Sequence, residues 1–216
     1  LKTGFYKKNS KSIKAIDLSK INNKTIEYSV KYLKAIVNRD NKNYENYFSL
    51  VGEIPTIKNW QFSGVFENLN KSGLDKIYEP ELYAKNDKSF NANSNGMVSW
   101  YIPHRNFTKE PYQFYTNHSE YGYGVNYAQT FIKAKNKKRV QLRFGNSSAF
   151  KVWLNDVLIY ENSKDVGTDI DAYKVNVTLS KGTNRLLIKN AESNGVAYLI
   201  ARISDEKGNP ISDIEY

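Results

Sequence analysis

Cysteine is absent from this 216-residue chain, methionine occurs once, histidine twice and proline five times. Without cysteine there can be no disulfide, no thiolate metal site and no cysteine nucleophile. A chain of this length buries enough apolar surface to fold without such staples. Two histidines are too few for a His-rich metal centre, neither lies in an H-E-x-x-H pattern, and no G-x-S-x-G elbow is present. No apolar run reaches the ~18 residues of a membrane-crossing helix, so no membrane span is expected. Acidic residues are outnumbered, 22 against 32 basic ones, for a net charge of +10. That surplus sits mainly in residues 1–50, where eleven Lys or Arg face four Asp or Glu. Lys, Asn, Ile and Tyr are abundant together, the composition of an AT-rich genome. It assigns the surplus to solvated lysines, with a polyanion contact by residues 1–50 as the competing reading. Nucleic acid is not an expected partner. The chain begins at Leu1 without a recognisable signal peptide, and the expectation is a piece of a longer protein.

Residues 1–55 read as a helical segment. Ile26, Val30, Leu33 and Val37 fall at i, i+4, i+7 and i+11, one stripe of an amphipathic helix over Thr25 to Val37. Tyr44, Tyr47, Phe48 and Val51 repeat the pattern over Asn41 to Val51, with a cap expected at Asp40 or Asn41. Ile13 and Ile16 suggest a shorter helix ahead of them. Pro55 ends the helical region. Residues 56–216 are strand-like. Trp60 to Phe66 alternates, Met97 to Ile102 forms the next strand, and Gly124 to Lys135 pairs with Arg139 to Phe144 through Asn136-Lys137.

The most legible stretch is Ala149 to Ser204. Phe150 to Leu154 meets Val157 to Tyr160 across Asn155-Asp156, a dipeptide that tolerates the positive φ of a tight hairpin. Ala172 to Leu179 turns through Lys181 to Asn184 into Arg185 to Asn190, and Gly195 to Ile203 closes the set. Six to nine strands with turns every ~8–12 residues predict an all-β sandwich.

The hairpin Val152-Trp153-Leu154-Asn155-Asp156-Val157-Leu158, and the strand, K-G-x-N turn and strand that follow from Tyr173 to Ile188, resemble the galactose-binding-like jelly roll. The first has Asp156 where glycine is usual. Trp60 to Phe66, then Tyr78 to Glu81, then Val98-Ser99-Trp100 resembles a bacterial version of that sandwich beginning W-x-x-x-G-P-F, with Val65 in place of the proline. Such sandwiches often follow tetratricopeptide-like helices. The resemblance implies a mainly β, antiparallel jelly-roll β-sandwich over 56–216 behind a small N-terminal α-helical segment. It also implies a non-catalytic accessory domain of a larger exported bacterial protein, placed in the periplasm or at the cell surface beside neighbouring domains. Structural calcium is frequent in that family, and Asp75, Glu79 and Glu81 could supply oxygens.

Carbohydrate recognition needs flat rings for C–H faces and planar amides or carboxylates for paired hydroxyls. Pro111 to Gly124 holds both kinds. Tyr112, Tyr115, Tyr121 and Tyr123, with Trp100, are the candidate stacking rings, and Asn117, His118 and Glu120 the candidate hydroxyl partners. Trp100 precedes Tyr101, and adjacent strand residues face opposite ways, so one of the two is expected to look away from the core. Two other readings stand beside this one. Tyrosine is common here, and the loop could simply wrap the sandwich, leaving a structural or docking domain without a small ligand. A glycosidase pair drawn from Glu79, Glu81 or Glu120 has no specificity among 22 acids, so no enzyme is expected.

Overall fold

Residues 6, 8–82, 88–102, 109–115, 124–192 and 197–216 are described in the computed structural model of the chain. Among the described residues, α1 (Ser10–Ala15), α2 (Lys24–Asp40) and α3 (Tyr44–Gly52) precede the strands. The strands that follow are β1 (Gln61–Phe66), β2 (Ser89–Asn91), β3 (Met97–Ser99), β4 (Gln113–Phe114), β5 (Gly124–Ala134) and β6 (Lys138–Asn146). After them come β7 (Ala149–Leu154), β8 (Val157–Asn162), β9 (Tyr173–Leu179), β10 (Gly182–Glu192), β11 (Tyr198–Ser204) and β12 (Ile214–Glu215). One antiparallel sheet has the order β1-β5-β10-β7-β8, with β12 also pairing β5, and the other has the order β4-β11-β6-β9. From β5 to β11 the chain crosses between the sheets at every step except the β7–β8 hairpin. The protein is thus mainly β, an antiparallel sandwich with a small N-terminal helical segment, as expected.

Between the sheets lies the main core. Phe62, Ile132, Leu186, Ile188, Phe150 and Val152 of one sheet meet Leu142, Phe144, Leu179, Leu199 and Ile203 of the other. Phe150 stacks on Tyr160 at 5.9 Å and meets Phe144 edge-on. Asn155 and Asp156 take φ of 50° and 64°, the left-handed pair a two-residue hairpin demands. Asn155 also ties the turn to β10: its Oδ1 accepts from the Arg185 N–H at 2.9 Å and its amide donates to Asn184 Oδ1 at 2.9 Å. Replacing Asn155 with Ala loses both bonds and leaves a strained backbone. We expect a loss of about 2 kcal/mol, read as a lower urea midpoint, and an unchanged midpoint would show that the amide does not hold the turn.

Both outer faces of the sandwich carry a cover, nearly complete over β10 and partial over the four-stranded sheet, where Lys174, Asn176 and Thr178 of β9 stay exposed. Strand β10 shows the result: Leu186 and Ile188 point into the main core, while Leu187, Lys189 and Ala191 point outward and are buried too. Over the six-stranded sheet lie a 3-10 segment (Leu69–Leu74), the short helix α4 (Glu79–Leu82) and the β2–β3 hairpin. They build a second cluster from Phe66, Leu74, Tyr78, Phe90, Trp100, Val125, Tyr127 and Leu187, with Trp153 half-buried against it. Within it the Lys189 ammonium donates to Glu81 Oε1 at 2.8 Å and to the Lys76 carbonyl at 2.6 Å.

Over the four-stranded sheet lie the helices. Tyr28, Ile54, Ile170 and Ile200 form the contact, and the Arg202 guanidinium sits 4.8 Å from the Tyr28 ring. This changes which face of α2 is buried. Tyr28, Lys31, Ala35, Ile36 and Val37 are covered, whereas Ile26 of the expected stripe is 54% exposed. The broad Tyr28 ring has more to gain over an arginine-bearing sheet than a branched aliphatic chain. Lys31 tolerates burial because Glu53 lies 2.8 Å from its ammonium. The cap expected at Asp40 or Asn41 is also corrected. Helix α2 runs through Asp40, Lys42 takes φ of 61°, and Asn43 caps α3 by accepting from the Asn46 N–H. The unequal helices, of 6, 17 and 9 residues, lend no support to the tetratricopeptide-like resemblance.

One buried carboxylate pins the helices to the sheet. Asp171 accepts from Arg202 Nε at 2.7 Å, from Arg143 Nη1 at 3.3 Å and from the Thr25 hydroxyl of α2 at 2.8 Å. Burial pushes its carboxyl up, but the bonds and charge of Arg202, with Thr25 and Arg143, outweigh this and hold it below the usual carboxylate range.

Candidate functional site

The helices cover only part of the four-stranded sheet, and open space is left beside them. One opening among the described residues is a cleft of about 1050 Å³. It lies where β6 turns into β7, the β8–β9 loop crosses, β10 ends and β11 begins. Helix α2 forms one wall through Ser29, Tyr32, Leu33 and Arg39, β4 contributes Phe114, and Tyr112 stands just before it. Ser147, Ser148, Val166 to Ile170, Glu192 and Tyr198 complete the described lining, with Glu110, Asp165 and Tyr6.

The rings come in two pairs. Tyr32 and Tyr112 meet across the helix–strand boundary with centroids 5.0 Å apart, and Phe114 and Tyr198 meet between β4 and β11 at 4.5 Å. All four are half-buried, so part of each faces solvent. Burial raises the hydroxyls of Tyr32 and Tyr112, Tyr32 to about 12, with the Glu110 charge adding to the effect there. Both remain neutral hydrogen-bonding groups at physiological pH.

The polar floor is knitted together by local turns. Ser148 takes φ of 63° between β6 and β7, its N–H donates to the Val166 carbonyl at 3.0 Å and its hydroxyl to Glu192 Oε2 at 2.5 Å. The Tyr198 N–H donates to Ser147 Oγ at 2.8 Å. Gly145 lets the β8–β9 loop press against β6, because a Cβ there would stand 2.1 Å from the Asp169 carbonyl oxygen. Tyr47 donates its hydroxyl to Glu110 at the α3 side. The arrangement offers apolar ring surface beside carboxylates and hydroxyls, which suits a polyol with apolar faces.

The structure sorts the sequence-predicted residues. Tyr112 lines the cleft. Trp100 and Tyr115 do not, and their expected stacking role is corrected. Trp100 packs edge-on against Phe90 in the second cluster, and Tyr115 is buried in the main core with its hydroxyl on Asn146 Oδ1 at 2.7 Å. Trp100 and Tyr101 do face opposite ways, but the six-stranded sheet has a core on each side, so neither is left looking at solvent. Asn117, His118, Glu120, Tyr121 and Tyr123 lie outside the described residues. The carboxylates considered for calcium do not converge: Asp75 pairs with Lys151, Glu79 with Lys88 and Glu81 with Lys189. Tyr32, Phe114, Tyr198 and the polar floor were not expected from sequence. The one available signal was the Val166-Gly167-Thr168-Asp169 loop, set between two strands.

No protein-family model and no curated protein matches the chain. Among solved structures it is similar to the PA14 sugar-binding domain from an RTX adhesin, at 12% identity over 39% of this chain and 48% of that one, with a TM-score of 0.30. It is similar to a family 35 carbohydrate-binding module from an environmental isolate, at 18% identity over 48% of this chain and 76% of that one, with a TM-score of 0.33. A third is an anti-sigma factor domain-containing protein from Clostridium clariflavum, at 8% identity over 72% of this chain and 46% of that one, with a TM-score of 0.43. The chain spans less than half the length of the PA14 domains it matches. These are likenesses of the β-sandwich, and the sugar-binding in two of the names belongs to those proteins.

Proposed function

We propose that this chain is a non-catalytic carbohydrate-binding domain, an accessory part of a larger exported bacterial protein, and that its sugar site is the cleft between α2, β4 and the β8–β9 loop. One observation carries the reading: four half-buried rings, Tyr32, Tyr112, Phe114 and Tyr198, border a cleft of about 1050 Å³ whose floor is hydroxyls and carboxylates. That volume accommodates more than one sugar ring. Affinity is weak, since each stacking contact adds about 0.5–1.5 kcal/mol beyond area burial. The alternative is a structural or docking domain without a small ligand, which the inward packing of Trp100 and Tyr115 favours.

A glycan array, followed by affinity electrophoresis on the polysaccharides it selects, separates the two. Tyr112→Ala is expected to weaken retardation about tenfold or more while leaving the cooperative thermal transition in place. Silence of the wild-type chain on every glycan would leave the docking reading standing.

A further inference from the structure

Resting on that carbohydrate reading, we propose that the cleft selects sugars bearing a free, protonated amine over neutral, N-acetylated or acidic ones. The chain as a whole carries +10, yet the described lining of the cleft has the opposite sign. Glu110, Asp165, Asp169 and Glu192 stand against the single guanidinium of Arg39. Three of these carboxylates are engaged: Glu110 by Tyr47, Asp165 by Lys71 at 3.5 Å and Glu192 by Ser148. Asp169 differs. It is exposed on the β8–β9 loop, and among the described residues its carboxylate takes no hydrogen bond. Its charge reaches the cleft, since it is among the groups that raise the Tyr112 hydroxyl. Its backbone is held by the close approach to Gly145.

An ammonium placed between Asp169 and the face of Tyr112 meets two attractions at once, a carboxylate and the negative face of a ring. An N-acetyl group meets neither as a charge. A uronate is repelled by the same lining. Arg39 lies on the α2 wall and opposes the ammonium only weakly across water.

The test is titration calorimetry with three hexasaccharides: β-1,4-linked glucosamine, its fully N-acetylated form and galacturonate, at a mildly acidic pH and low salt. The amine form is expected to bind about tenfold tighter than the acetylated one, equal to about 1.4 kcal/mol, and galacturonate not measurably. Asp169→Asn should bring binding of the amine and N-acetylated hexasaccharides close to equal, as should high salt or a pH above the amine's own pKa. Tyr32, raised to about 12, stays neutral throughout that range. Asp75→Asn, which removes an exposed carboxylate paired to Lys151 outside the cleft lining, should leave the ratio unchanged. Equal binding of the amine and acetylated forms, or equal loss of preference in Asp75→Asn, overturns the inference while the carbohydrate reading stands. Failure to bind these three alongside binding of another glycan does the same. Silence on every glycan ends both.

Discussion

Replacing Asp171 with Ala is expected to cost about 3–5 kcal/mol, a large part of the 5–15 kcal/mol that keeps a typical domain folded. The carboxylate is buried and answers two guanidiniums, Arg143 and Arg202, that are buried as well. Removing it leaves both cations without a counter-charge. Arg202 keeps the Gly208 carbonyl, and Arg143 keeps Ser204 Oγ and the Glu206 carbonyl, which solvate the cations without neutralising them. The Thr25 hydroxyl loses its acceptor too, so the start of α2 is released from the sheet. The same group makes stability depend on acid. Its carboxyl is held below the ordinary value of about 3.9 in the folded chain. Its contribution is therefore complete above the unfolded value and is lost as pH falls through the folded one. Urea midpoints followed from neutral to acidic pH should fall for the wild type and fall less for Asp171→Ala. An unfolding free energy within about 1 kcal/mol of wild type at neutral pH would show that the pair carries no net load.

Under the other face, Glu81→Ala should destabilise far more than Lys189→Met, though the two residues are partners. Lys189 is 1% exposed, with its ammonium 5.5 Å from the Tyr78 ring and 5.8 Å from the Tyr127 ring. Without Glu81 it becomes a buried cation facing one carbonyl, and the Tyr127 hydroxyl and the Tyr78 N–H lose their acceptor as well. A loss of about 3–5 kcal/mol follows. Methionine at 189 keeps the apolar stem and removes the charge. Glu81 is less deeply buried and retains its two remaining donors, so that variant should lose under about 2 kcal/mol. Burial already holds the Lys189 ammonium below its ordinary range, against the pull of Glu81. Removing Glu81 depresses it further. The unfolded chain then binds more protons than the folded one across a wider span, so Glu81→Ala should regain stability as pH rises toward the ordinary lysine value. Chemical denaturation of both variants across the alkaline range checks the ordering, and equal losses would refute it.

What could be read in advance was local. Asn155-Asp156 announces its hairpin because the required backbone angles belong to a few residue types, and that turn forms where expected. The Gly182 turn forms too but carries the chain from one sheet to the other, as does Asn136-Lys137, whose flanking strands were expected to pair. The roll of α2 was not legible. Ile26, Val30 and Leu33 make the more apolar stripe, but what the helix meets is a sheet face carrying Arg202, and Tyr28 answers it. Lys31 would not be expected inside without knowledge of Glu53, more than twenty positions away. The cleft was legible only at Tyr112. Its walls come from residues near 30, 112, 147, 168, 192 and 198, and no periodicity links positions so far apart. Trp100 and Tyr115 misled for a related reason. Alternation tells which side of a strand a ring faces, but not that each side of this sheet has its own cover.

The plating of the four-stranded sheet by the helices has a consequence for biogenesis. Thr25 finds its acceptor 146 positions later, and Tyr28 settles on Ile200 of β11. During synthesis the helical segment emerges first, but the surface that receives it is finished last. Loop-closure entropy must be met before that distant contact returns any stabilisation. On a translating ribosome residues 24–54 therefore lack the surface that buries Tyr28 and Ile54 until β11 has been made.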